Sequence, residues 1–139
     1  MAVLIDTGFY VAFRNERDPH HERAVELAKA ITSGHHGQAF VTDYVIAETL
    51  NYAGSRLRSP QLTLAMMADL LGQARDPWMG VTFVDQESFS AASVIFSTIG
   101  VRKGLSFTDC TTLAVTRRLK IPLVASFDSG FDGLIERLS

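Results

Sequence analysis

The sequence predicts an α/β domain built on a parallel β-sheet, and three observations carry that prediction. Short apolar runs (Val3-Leu4-Ile5, Ala39-Phe40-Val41, Val81-Thr82-Phe83-Val84 and Pro122-Leu123-Val124-Ala125) alternate with longer helical patterns. The runs lack apolar–polar alternation, as expected of strands covered on both faces. The 139 residues, 47% apolar and 20% charged, fit one compact unit, read as a single domain over 1–139.

Each element has a local reason. Val3-Leu4-Ile5 is a first buried strand. Asp18-Pro19 is expected to open a helix, because an aspartate accepts bonds from free N–H groups and proline suits the first turn. That helix carries Ala24, Leu27, Ala28 and Ile31 on one face and ends near Gly34. Ala39-Phe40-Val41 is the second strand, after which Thr42 caps a helix running to about Leu57. Ser59-Pro60 opens another, through Leu62, Ala65, Met66, Leu70 and Leu71. Val81 to Val84 is a third strand, and the helix after it runs to Ile99 and stops at Gly100. Ser106 begins a helix through Leu113, Ala114 and Leu119; Pro122 to Ala125 is a fourth strand; a short helix or turn follows. Trp78, Phe83, Phe89 and Phe96 are expected in the core, with Met66-Met67 as core or interface filler and Cys110 as a small buried apolar residue.

Composition narrows the function. One cysteine, Cys110, excludes an intrachain disulfide and fits a reducing compartment. The N-terminus lacks the basic and long apolar regions of a signal peptide, and no apolar run is long enough to span a bilayer, so a cytoplasmic protein with no membrane association is expected. A net charge of −2 is not that of a dedicated nucleic-acid binder, although an acidic metal site lowers the total and a local basic patch can still bind.

In parallel α/β sheets, sites form beyond the carboxyl ends of the strands. Asp6 directly follows the first strand and Asp128 lies just past the fourth. If those strands are neighbours, both carboxylates enter one crevice; each also has a plain explanation as a cap. Glu48 is the odd one, mid-helix among Tyr44, Val45, Asn51 and Tyr52, where no helix end needs capping. Buried there it needs a metal or cationic partner; otherwise it faces solvent. Asp109 completes a capping-box pattern with Ser106. Thr7, Thr108 and Ser126 stand beside candidate carboxylates, where their hydroxyls either orient a ligand or satisfy local backbone. Several carboxylates held together repel one another and raise each other's pKa unless a cation intervenes. Mg²⁺ and Mn²⁺ prefer such oxygen ligands, and an ion so held can polarise a phosphate, activate water and steady a leaving oxygen. No cysteine pair or zinc-type spacing is present.

At these residues the chain resembles the PIN domain family. Leu4-Ile5-Asp6-Thr7-Gly8-Phe9-Tyr10-Val11-Ala12 is similar to the family's opening, and Val45-Ile46-Ala47-Glu48-Thr49 to its second acidic motif. Leu105-Ser106-Phe107-Thr108-Asp109-Cys110 resembles the third, and Leu123 to Asp132 the fourth; Asp18 to Ala24 is similar to the start of the family's second helix. The likeness runs nearly end to end with the motifs in order. It implies a PIN-like three-layer sandwich, a central parallel β-sheet flanked by helices with the first strand central, and Mg²⁺ or Mn²⁺ held by Asp6, Glu48, Asp109 and Asp128. Asp132 matches an acid that some members carry. Small members are mostly VapC-type toxins, ribonucleases silenced by a cognate antitoxin and usually homodimeric; the resemblance thus implies a metal-dependent endoribonuclease with an RNA substrate and an antitoxin partner. Two departures stand out: Gly8 replaces a small hydroxyl residue or alanine, and the family's fifth strand is hard to see after Leu134-Ile135.

Basic residues near the crevice would bind the RNA backbone. Arg14, Arg17, Arg56, Arg58, Arg102, Lys103, Arg117 and Arg118 are candidates, with Arg102 and Lys103 foremost because they precede Asp109. Adjacent histidines (His20-His21, His35-His36) are poorly spaced for chelation and read as helix-start packing and a surface loop. Competing readings are a catalytically silent PIN module that binds RNA or a protein, and a PIN nuclease of RNA processing or repair outside any toxin–antitoxin pair. A phosphatase of the haloacid-dehalogenase type also begins with strand-then-aspartate, but it usually needs a second aspartate where Gly8 stands.

Overall fold

The computed structural model describes every residue, Met1–Ser139. Strand β1 (Ala2–Ile5) lies at the centre of a five-stranded, wholly parallel sheet of order β3-β2-β1-β4-β5. The others are β2 (Gln38–Thr42), β3 (Met79–Thr82), β4 (Leu123–Ala125) and β5 (Glu136–Leu138). The chain winds outward from β1 to β3 on one side and continues from β4 to β5 on the other. The order therefore reverses between β1 and β4, and the crevice beyond their carboxyl ends is where this topology places a ligand.

Three layers follow from the alternation of side chains along buried strands. Val3 and Ile5 of β1, with Leu123 and Ala125 of β4, face a core shared with α1 (Thr7–Arg14), α2 (His21–Thr32), α3 (Asp43–Tyr52) and α4 (Pro60–Leu70). Val124 faces the opposite way, onto α5 (Gln86–Ile95) and α7 (Phe107–Leu119), and Leu4 meets Val115 and Ile121 on that same α7 side. Val3, Leu4 and Ile5 are wholly buried; side chains of this kind each contribute about 1.5–3 kcal/mol. That is why an apolar run with no polar face forms the central strand.

Local signals set most boundaries. Thr42 Oγ1 accepts from the Val45 amide at 3.1 Å and Ser59 Oγ from the Leu62 amide at 3.2 Å, capping α3 and α4. Helix α3 continues as a π-helical turn, Ala53–Leu57, and ends at Arg58 in the left-handed region (φ 50°). Ala24, Leu27, Ala28 and Ile31 of α2 are buried, as their spacing predicts.

Elsewhere the elements depart from the sequence reading. Helix α2 starts at His21 and not at Asp18, because Asp18 Oδ1 accepts from the His20 amide (2.9 Å) and makes a turn before the helix. β3 begins at Met79 and ends at Thr82; its pairing with Ala39–Thr42 fixes it there, leaving Phe83 beyond the sheet and 68% exposed. Phe89 is 44% exposed, its ring between Tyr44 of α3 (6.5 Å) and Phe107 of α7 (5.4 Å), so neither ring belongs to the buried core. The helix expected to stop at Gly100 passes through it as a π-helical turn, Phe96–Gly100, and a short helix α6 (Val101–Lys103). It ends at Gly104, whose φ of 72° suits glycine. A fifth strand does form: Glu136–Leu138 pairs with β4 and supplies the sheet edge. No helix is long and apolar enough to cross a membrane.

Candidate active site

The sheet register brings the first two carboxylates together. Leu4 pairs with Val124 and Ile5 with Ala125, so the next residues, Asp6 and Ser126, emerge side by side at the carboxyl edge. Ser126 Oγ donates to Asp6 Oδ2 at 2.7 Å and accepts from the Asp128 amide at 3.0 Å. Asp6 stands at the N-terminal boundary of α1, yet its side chain makes no capping bond to that helix. The capping explanation therefore does not account for it.

Glu48 comes from the middle of α3, and Asp109 from the first turn of α7. In Asp109 both explanations hold: Asp109 Oδ2 accepts from the Ser106 amide (2.8 Å), Ser106 Oγ accepts from the Asp109 amide (3.0 Å), and the capping box fixes the carboxylate. Asp128 is exposed and caps the 3₁₀ turn Ser129–Phe131 through a 2.8 Å bond from the Gly130 amide to Oδ1. All four acids line one open pocket of about 520 Å³. None is in an ion pair with lysine, arginine or histidine.

Charge of one sign in a partly dry crevice has consequences. Burial, then the neighbouring Asp109, push the Asp6 pKa up to about 7, with Glu48 adding to the rise and the Ser126 hydroxyl opposing it. Asp109 is likewise raised by burial, against the stabilising bonds from Ser106, with Asp128 and Glu48 adding to the rise. Thr7 lines the pocket, and its buried Oγ1 has no hydrogen-bond partner within the protein. Hard oxygen donors, mutual repulsion and an unpartnered hydroxyl fit a divalent cation. As the side chains stand, no three of them surround a point closely enough to hold an ion directly. One oxygen each of Asp6, Asp109 and Asp128 is drawn to a protein donor instead.

The other sequence candidates fall at different places. Thr108 lies outside this pocket, in an adjoining one that shares Glu48. Asp132 pairs with Arg137 at 2.8 Å and is not among the pocket's lining residues. Arg102 and Lys103 lie just before Gly104, which does line the pocket, but Arg102 Nε donates to Thr98 O and Lys103 Nζ to Asp132 O. Gly8 widens the mouth: a Cβ there would meet nothing within 4 Å.

Sequence reasoning missed Asp18 and His20, which also line the pocket. The His20 ring lies flat on Phe127 (4.4 Å, 10°), and Phe127 stacks on Phe9 at 5.8 Å. His35 and His36 lie in the surface turn after α2 and His21 packs at the helix start, Nδ1 2.7 Å from Ala12 O, both as expected; His20, beside His21, is the one that lines the pocket. No local pattern separates the two; the stack exists only because β4 delivers Phe127 beside the turn before α2.

A crevice of unpaired carboxylates at the switch point of a parallel α/β sheet defines the class, and the chain belongs to the PIN domain family, whose model matches residues 3–135. It is 30% identical over 131 residues to the VapC ribonuclease of Archaeoglobus fulgidus, spanning 94% of this chain and 80% of that one. Among solved structures it resembles Mycobacterium tuberculosis VapC20, a sarcin-ricin loop cleaving toxin, with TM-score 0.77 and 23% identity over 93% of this chain and 92% of that one. It also resembles VapBC2 from Rickettsia felis bound to a promoter DNA fragment, with TM-score 0.68 and 13% identity over 99% and 98% of the two chains. At these identities the solved structures establish the shared fold.

Proposed function

We propose that this protein is a Mg²⁺- or Mn²⁺-dependent endoribonuclease, the toxin of a toxin–antitoxin pair, acting as a homodimer. The observation that carries the reading is the convergence of Asp6, Glu48, Asp109 and Asp128 on one pocket with no basic side chain paired to any of them. The VapC ribonuclease relative supports the reaction, and the likeness to VapBC2, solved on promoter DNA, supports an antitoxin partner.

Asp6 and Asp109 would hold the cation, with Glu48 and Asp128 completing its surroundings directly or through water. When bound, such an ion supplies Lewis-acid activation of water and neutralises charge growing on the phosphate. The chain's own residues set the geometry. Ser126 fixes one Asp6 oxygen and ties it to the Asp128 backbone amide. The capping box holds Asp109 rigidly on a long helix. His20, held flat by Phe127, bounds the pocket where a nucleotide would enter.

The test is cleavage of a mixed RNA pool by purified, partner-free protein with Mg²⁺, Mn²⁺ or chelator, beside Asp6→Asn. Metal-dependent cutting that the variant loses is the expected result. Folded protein that cuts nothing with either metal, or a variant that cuts as well as wild type, would overturn it.

A further inference from the structure

The acid pocket repels a phosphodiester until cations intervene, and the whole chain carries a net charge of −2. Affinity for RNA must therefore come from positive charge placed elsewhere. A second pocket, of about 490 Å³, has the opposite character. Arg14, Arg17 and Arg58 line it, from the end of α1, the following loop and the residue closing the π-helical turn after α3. Ser59, the N-cap of α4, lines it too, adding the positive end of an eleven-residue helix. Glu16 also lines the pocket, and Asp69 holds Arg14 at 3.4 Å. With Arg14 offset by Asp69, Arg17 and Arg58 against Glu16 leave one net positive charge, and both arginines are exposed and make no ion pair.

Two further facts give this pocket direction. One loop joins it to the acid pocket: Asn15 and Arg17 line the arginine pocket, Asp18 and His20 the acid pocket. Arg17 and Asp18 are neighbours in the chain, so the two pockets meet along this loop. Arg58 adopts a left-handed conformation (φ 50°, ψ 32°) at a helix end where glycine is favoured. An arginine at such a position, with its side chain on a concave cationic surface, gains no backbone stability there and is a candidate for binding.

We propose that Arg17 and Arg58, with Arg14 and the α4 N-terminus, bind the sugar–phosphate backbone of single-stranded RNA flanking the cleaved bond. The proposal rests on the ribonuclease reading above. It differs from the sequence expectation in placing the main backbone contact at this pocket and not at Arg102 and Lys103.

The experiment measures binding of a labelled single-stranded RNA to the Asp6→Asn protein in Mg²⁺ across a salt series, alone and with Arg17→Ala, Arg58→Gly or both; cleavage by the wild type is followed in parallel. Each substitution is expected to weaken binding roughly tenfold and to lower the slope of log affinity against log salt by ~0.7. Arg58→Gly should keep or raise the melting temperature while losing affinity, which a merely structural arginine would not do. Unchanged affinity and slope in the double variant, with wild-type cleavage intact, would overturn the arginine pocket and leave the nuclease standing. No RNA bound by the parent and none cut by wild type would overturn both.

Discussion

Ser126 and Asp6 meet across two strands: the hydroxyl donates to the carboxylate at 2.7 Å, although the residues are 120 positions apart in the chain. The same oxygen accepts from the Asp128 amide, so one buried hydroxyl links two of the four acids. Replacing it with Ser126→Ala leaves a buried carboxylate short of a donor, at about 1–3 kcal/mol. Loss of a supporting contact of this kind weakens metal binding by roughly 10–100-fold. Calorimetric titration with Mn²⁺ reads the affinity directly; a variant that binds like the wild type would show that Ser126 only closes the strand end.

The raised pKa of Asp6 makes a prediction about the metal-free fold. The folded protein holds a proton on Asp6 up to about pH 7, whereas the unfolded chain releases it near 3.8. The folded state thus binds more protons between those values, and stability must fall as pH rises through that window. The upper bound on the loss is about 4 kcal/mol. Asp6→Asn keeps an acceptor for Ser126 and removes the charge, so it should be more stable than wild type at pH 8 in chelator and indistinguishable from it near pH 4. Denaturant melts at the two pH values check this; equal stability at pH 8 would show that the acids relax apart without penalty.

Gly130 stands where a side chain would disturb the site without touching the sheet. A Cβ there would lie 2.7 Å from Leu105 Cδ2 and 3.0 Å from Asp128 Oδ1. Gly130→Ala should displace the Asp128 carboxylate, reduce metal-dependent cleavage by about tenfold and cost about 1–2 kcal/mol in stability. Turnover measured beside a thermal melt separates the two effects, and full activity would place Asp128 outside the chemistry.

Asp69 anchors a network remote from the acids. It accepts from Tyr10 Oη at 2.7 Å and Trp78 Nε1 at 3.3 Å, and pairs with Arg14. Asp69→Ala leaves Trp78 Nε1 without its acceptor and removes the main partner of Tyr10 and Arg14, which keep Met66 O (3.4 Å) and Tyr10 Oη (3.1 Å), and is expected to destabilise by about 1–3 kcal/mol. Because the network braces α4 against α1, urea unfolding should shift strongly while the Mn²⁺ affinity of the folded protein stays near that of wild type. Comparable losses in both would mean that α1 transmits the change to Asp6.

The sequence made the site legible unevenly. Asp6 and Asp128 could be found because Asp6 directly follows, and Asp128 lies just past, an apolar run that reads as a buried strand. Asp109 had a complete local explanation in its capping pattern with Ser106, and only the resemblance of Leu105–Cys110 to the family's third motif marked it as a site residue. Glu48 stood out by lacking any local role. His20 and Asp18 were not legible, since a turn before a helix explains both until the fold brings Phe127 alongside. Phe83 and Phe89 were misplaced in the core because apolar character sets a preference for burial but not where a strand ends or how completely neighbouring helices cover a ring.

What the sequence alone determined about this protein is what depends on neighbouring residues: the apolar runs that become strands, the caps at Thr42, Ser59 and Ser106, and the carboxylates at strand and helix ends. The tertiary structure alone decided the order β3-β2-β1-β4-β5, the Ser126–Asp6 bond, the His20–Phe127 stack, and the meeting of Arg17 with Arg58 at one pocket. The reason is physical. Apolar strands of similar length pair with little sequence specificity, so adjacency is fixed by connection handedness and by which helices can cover both faces, and these are properties of the whole packed chain.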